Sequence, residues 1–246
     1  MTASTSTDPS PKGGSFTIDR SADNPENGTI KYFDADGNDA GKIVFTNIEK
    51  VVPCFTPGTR IATPRGQVAV ETLKVGDLVM TRDNGMQPIR WIGTRALSAR
   101  DFYAAEHLYP IRIAKGALGN DLPERDMLVS PNHRMLVASD KTVLYFEESE
   151  VLVAAKHLTG LVGVGAATCE EAKYIHLMFD QHEVILSDGT WSESFQPGVQ
   201  ALAGVGNAQR LELLEIFPEL ANYGGIAGYP SARRSVKAHE AALLIR

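Results

Sequence analysis

Hydrophobic and polar residues alternate over short distances through most of the chain. In "GTIKYFDADGNDAGKIVFTNIEKVV", Ile30 and Tyr32, then Ile43 and Phe45, point to one face each, with a polar "DADGND" between them. That pattern predicts a β-hairpin. The acidic turn is not a calcium loop. Counting from Asp34, the sixth and twelfth positions should be Gly and Glu, but they are Asp39 and Phe45. From Cys54 to about Phe195, short β-like runs follow one another: "TRIATP", "DLVMTRD", "QPIRWIG", "YPIRIAKGAL", "DMLVSPNHRMLVA" and "YIHLMFDQHEVILSDG" among them. Gly, Pro, Asn and Asp separate them. This spacing predicts an all-β domain of many short strands. "VLVAAKHL" fits a short helix as well as a strand. After residue 198 the period changes. "NAQRLELLEIFPEL" carries Leu211, Leu214 and Ile216 at helical spacing, with Pro218 as its limit. "PSARRSVKAHEAALLIR" reads as a second helical stretch with a basic start. Residues 1–14 are rich in Ser, Thr, Pro and Gly. The expected organisation is an N-terminal segment over 1–53, a β-domain over 54–198 and a helical tail over 199–246. No internal repeat is evident.

Bulk properties narrow the function classes. The chain has 246 residues, enough for a sizeable core. Its formal net charge is −6, so bulk charge attracts neither nucleic acid nor an anionic membrane. The apolar run around Val151–Ala155 is far too short to span a bilayer, so no membrane span is expected. The N-terminus lacks an apolar signal-peptide core, which leaves a cytoplasmic site or export by a signal-peptide-independent route. Cys54 and Cys169 do not make a disulfide framework. No CxxC or close Cys/His set occurs, so neither a metal nor a cofactor is expected.

Cys54, in "VVPCFTPGT", is where chemistry enters. Its sulfur can reach back to the Pro53 carbonyl through a five-membered ring and move the acyl group from nitrogen to sulfur, leaving a thioester. Proximity supplies much of the rate. The thiol must still lose its proton, the leaving nitrogen must gain one, and the oxyanion must be held by donors. The Pro53–Cys54 bond is an ordinary secondary amide, because the tertiary amide lies at Val52–Pro53. Six histidines are candidates for the proton work: His107, His133, His157, His176, His182 and His239. His133 stands out in "MLVSPNHRMLV", where a Pro-Asn turn can aim Ser130 and His133 into one pocket. His182 follows, with His176 and Asp180 alternating along the same strand face. The plain alternative for Cys54 is a buried structural thiol, and for His133 a turn histidine. Cys169 reads as incidental. Trp91 and Trp191 read as core aromatics, and Thr59, Asp77 and Asp83 as turn residues.

These stretches resemble Hint domains, the fold shared by inteins and Hedgehog autoprocessing domains. "CFTPGTRIATPRGQVAVETLKVGDLVMTRD" resembles their opening block, "SPNH" the second block, and "YIHLMFDQHEVILSDG" the later one. The set, with "ESFQPG", is similar to bacterial proteins with a Hedgehog/intein-type Hint domain over roughly residues 51–198. The resemblance implies an all-β horseshoe of two pseudo-symmetric halves. It makes Cys54 the acyl-shift nucleophile, and Ser130 with His133 the pair that strains and protonates the scissile amide. His182, with Asp180 or His176, is then the later group. Two departures matter. No His-Asn followed by Ser, Thr or Cys ends the block, so full splicing is not expected. Gly93 and Thr94 stand near the position where Hedgehog proteins carry a sterol-activating Asp, so sterol transfer is not expected. What remains is autocatalytic cleavage of Pro53–Cys54 with the chain's own N-terminal segment as substrate, and water, a thiol or an amine as acyl acceptor. A non-reactive Hint-fold interaction module and a cysteine hydrolase using Cys54 with His133 are the alternatives.

Overall fold

Phe55 organises the β-domain. It forms antiparallel bridges to Val129 on one side and Ile175 on the other, and it exchanges both backbone hydrogen bonds with Ile175 at 2.9 Å. Two segments far away in sequence therefore converge on the residue after Cys54. In this computed structural model the described residues are 8–9, 15–20, 28–33, 36, 38–45, 53–198, 205–221 and 228–245. They fall into two compact units, one drawn from residues 1–50 and 197–228, the other from 51–196 and 229–246.

In the first unit, β1 (Asp8–Pro9), β2 (Ser15–Arg20), β3 (Gly28–Phe33) and β4 (Asp39–Phe45) form an antiparallel sheet in chain order. Ile30 faces Ile43 in the register, as the alternation predicts for a hairpin. Half of the acidic turn, residues 34, 35 and 37, lies outside the described residues. The tail's first helix spans Asn207–Ile216 and gives way to a 3-10 turn at Pro218, whose ring cannot continue the α-helix.

The second unit is built from thirteen short strands. An eight-stranded sheet joins β5 (Arg60–Thr63), β6 (Gly66–Ala69), β7 (Leu78–Thr81), β8 (Gly85–Pro88), β12 (Arg134–Val137), β13 (Val151–Ala154), β16 (Val184–Ser187) and β17 (Thr190–Glu193). β10 (Ile111–Ile113), β11 (Met127–Val129) and β14 (Val164–Ala166) make a smaller sheet. The long pair β9 (Trp91–Ser98) and β15 (Glu171–Met178) runs antiparallel over its whole length. Between strands lie the short helices α1 (Ala99–Ala104) and α2 (Asp140–Phe146). One apolar core includes Ile61, Val79, Ile113, Met135, Val153 and Ile185. Burial of such side chains stabilises by roughly 1.5–3 kcal/mol each. The fold is all-β with few helices.

Two local readings change. "VLVAAKHL" is the strand β13 followed by a 3-10 turn over Ala155–His157, because all four strand residues are buried and β12 supplies their ladder. In "PSARRSVKAHEAALLIR" only Ala238–Leu244 is helical. Upstream of it the backbone lies against β13, where Leu152 donates to Arg234 and Val236 donates back to Leu152. A neighbouring strand thus satisfies the donors that a helix would have used.

Candidate active site

The site is assembled at the Pro53–Cys54 peptide. β11 ends at Val129, and Ser130 begins the Pro-Asn turn that reverses the chain into β12 (the His133 amide donates to the Ser130 carbonyl at 3.0 Å). Ser130 is fully buried. Its amide donates to the Cys54 carbonyl at 3.0 Å, and its hydroxyl oxygen accepts from the Cys54 amide at 2.9 Å. Cys54 is thereby held on both sides of its α-carbon. On the chain's far side, Thr59 donates its hydroxyl to the Thr56 carbonyl at 2.9 Å, and Thr56 donates to Leu128 at 2.8 Å. Gly58 takes φ +91°, a left-handed conformation that glycine accepts without strain.

From β15, His176 reaches the same bond. Its Nδ1 lies 2.9 Å from the Pro53 carbonyl oxygen, and its Nε2 lies 3.7 Å from the Cys54 sulfur. A carbonyl oxygen can only accept, so Nδ1 carries the hydrogen. In the neutral ring Nε2 is then an acceptor, facing the thiol. Burial holds His176 down to about 4, against the pull of the Pro53 carbonyl; Arg95 also lowers it. Burial pushes the Cys54 thiol well up, while the Ser130 hydroxyl and the Arg95 charge pull it down. The resting pair at pH 7 is thus a protonated thiol beside a neutral imidazole.

The other sequence candidates sit differently. The His133 ring packs edge-on against Phe55, centroids 4.5 Å apart. Both its nitrogens are buried without a hydrogen-bond partner among the described residues. Burial holds it at about 4, with Glu193 pulling upward. Ser130, and not His133, holds the Cys54 amide. β15 ends at Met178, so the alternation that puts Asp180 and His182 on the face of His176 stops there. Asp180 turns out to solvent and pairs with Arg90 at 3.2 Å. His182 turns inward elsewhere: its Nδ1 accepts from the Ala232 amide at 3.0 Å, which leaves the hydrogen on Nε2, 3.4 Å from a Glu193 carboxylate oxygen. Glu193 is fully buried and also takes the Arg134 amide and guanidinium, each at 2.8 Å. Burial alone would raise this carboxyl. Arg134 and His182 outweigh it and hold it below the usual range. His176 and His182 thus have separate settings, one at the scissile bond and one in a buried ion network.

Sequence reading missed Glu193, Trp91 and Phe195 as neighbours of these histidines. The buried acid in "WSESF" is the only signal of Glu193. Among the described residues, no three His, Cys, Asp or Glu side chains are grouped to hold a metal ion, and no helix is long and apolar enough to cross a membrane.

The Hint domain family model matches residues 53–199, more than half of the chain. Among solved structures, a bacterial intein-like domain from Clostridium thermocellum is similar at 15% identity and TM-score 0.40, covering 57% of this chain and 97% of that one. The gp41-1 intein is similar at 10% identity and TM-score 0.34, covering 57% and 97%. The MchDnaB-1 intein is similar at 10% identity and TM-score 0.35, covering 57% and 98%. No curated protein matches. With its opening, second and later blocks in order and its family match spanning them, the chain belongs to the Hint domain family, whose members are autoprocessing and splicing-related domains that act on their own flanking segments.

Proposed function

We propose that the domain cleaves its own Pro53–Cys54 bond through a thioester, without full splicing. The single observation that carries the reading is the placement of one neutral imidazole on both reacting groups, Nδ1 on the Pro53 carbonyl and Nε2 on the Cys54 thiol. Nε2 takes the thiol proton as sulfur attacks the Pro53 carbonyl carbon. Nδ1–H donates to the oxygen as it gains charge, an oxyanion-type stabilisation. The C–N bond then breaks, and the proton passes from Nε2 to the leaving Cys54 nitrogen. The products are a Pro53 thioester on Cys54 and a free α-amine. Water hydrolyses the thioester to a Pro53 carboxylate and restores the thiol; an added thiol or amine instead takes the acyl group, as a new thioester or an amide, and likewise releases the thiol.

Ser130 holds the scissile amide through its N–H and is the group that orients it. His133, on the same turn, packs its ring on Phe55 and carries no proton in these steps. Asp180 and His182 take no step in it. Their partners, Arg90 and the Glu193 network, support a structural role.

The test is mass spectrometry of residues 1–246 incubated with and without dithiothreitol. The reading expects thiol-stimulated fragments 1–53 and 54–246, abolished by Cys54→Ala. One observation favours the inert alternative: Cys54 is only 3% exposed. An intact mass under every condition would establish it. Turnover of an added peptide would instead support the hydrolase reading.

A further inference from the structure

His176 does not stand alone in β15. In the β9–β15 ladder Gly93 lies directly opposite it. Gly93 has no left-handed φ, so backbone freedom is not its use. A β-carbon there would fall 2.1 Å from Trp91 Cη2, so the indole fills the space that a side chain would take. Trp91 is fully buried. Its ring lies nearly parallel to the His176 imidazole, 9° apart with centroids at 6.3 Å. Phe195 closes another side, 5.6 Å from His176 at 63° and 5.6 Å from Trp91 at 54°. The Phe195 amide donates to Leu177 at 2.7 Å, which fixes this ring beside β15. Trp91 Nε1 has no hydrogen-bond partner among the described residues, so the indole acts as a wall.

We propose that Trp91 and Phe195 are positioning residues that box His176, keeping the ring neutral and in the one orientation that faces the Pro53 carbonyl and the Cys54 thiol together, with Gly93 making room for the indole.

The reason is the chemistry of the ring. An imidazolium in an aromatic enclosure loses its hydration, so the box disfavours the protonated form. That form would point an N–H at the thiol and could no longer take its proton. Burial is the leading cause that holds His176 at about 4. The titratable and charged groups around it are Cys54 on the bridge segment, Arg95 on β9, His133 on the turn after β11, and Glu193 on β17, which acts on Cys54 and His133. Arg95 pushes the same way as the box, so the aromatic contribution needs a separate measurement.

The inference rests on the proposed role of His176, but its test does not need cleavage. The full chain carrying Cys54→Ala, which cannot react, is labelled at histidine nitrogen and titrated by NMR with and without Trp91→Ala. Circular dichroism checks that each variant is folded. The expected midpoint for His176 is about 4 in the parent and at least one pH unit higher with Trp91→Ala, with loss of the single Nδ1–H tautomer signal. Phe195→Ala opens the same enclosure and Gly93→Ala displaces the indole, and both shift the midpoint in the same direction; they decide the matter if Trp91→Ala does not fold. An unchanged His176 titration in any folded variant overturns the proposal. In the reactive chain, a midpoint moved to about 5.5 would cost about fourfold in cleavage rate at pH 5 and almost nothing at pH 8. A purely structural role would lower the rate equally at both. A parent chain that never cleaves, with the titration as expected, refutes the cleavage reading and leaves the box intact.

Discussion

At neutral pH the Cys54 thiol keeps its proton beside an unprotonated His176, so in the proposed cleavage the pair must move that proton during attack. This fixes the predicted behaviour of single substitutions. His176→Ala removes both the proton acceptor for the thiol and the donor to the Pro53 carbonyl. It is expected to slow cleavage by about 10²–10⁴-fold with the fold retained, measured as fragment appearance over time. Ser130→Ala leaves the Cys54 amide without its acceptor and is expected to slow cleavage by a smaller factor. The rate should fall as pH drops toward 4, where His176 becomes protonated. Cys54, Ser130 and His133 could be singled out from local strings, because a cysteine after an apolar run and a Pro-Asn turn are short-range signals. The choice between His176 and His182 was not legible. It depends on where β15 stops, and a strand end two residues after His176 reverses the facing of everything beyond it.

Strand pairing decides whether those side chains meet. Phe55 is the joint: it is 1% exposed, bridges two strands and packs on His133. Phe55→Ala is expected to destabilise by about 3–5 kcal/mol, read from the denaturant midpoint, and to reduce cleavage beyond what the lost stability explains, because it loosens Cys54 from His176. Short strands with turn residues between them were readable from alternation alone. The pairing order was not, since β16 joins β5, β7 and β17 through contacts spread over more than a hundred residues. Propensity also misled at the tail. "SARRSVK" looks helical locally, yet β13 offers it a ladder and tertiary pairing overrides the local preference.

The second unit takes residues 229–246 from beyond the family match, and they act as a strap across it. Tyr229 donates its hydroxyl to the Phe179 carbonyl at 2.9 Å. Arg233 forms a fork on Asp83, at 2.7 and 3.0 Å, and reaches Glu150 at 2.9 Å; Arg82 pairs with the other Glu150 oxygen. Arg233→Ala is expected to cost about 1–3 kcal/mol, since Glu150 is largely buried and keeps only one partner. Stability of the whole chain should also depend on pH. His133 and His176 both sit at about 4 when folded against an ordinary 6.5. The unfolded chain therefore binds more protons between those values, and stability is lost as pH falls from 6.5 to 4. Each residue contributes up to about 3 kcal/mol to that loss. Asp188, which burial raises to about 6, opposes this in part: its contribution is present below its ordinary 3.8 and lost as pH rises through 6. Self-cleavage at Pro53–Cys54 is tested by the intact mass of residues 1–246 followed over time with dithiothreitol, beside Cys54→Ala and His176→Ala. Fragments 1–53 and 54–246 are expected from the parent chain, none from Cys54→Ala, and slow release from His176→Ala. A parent chain that stays whole, or one that His176→Ala cleaves at the same rate, would contradict it.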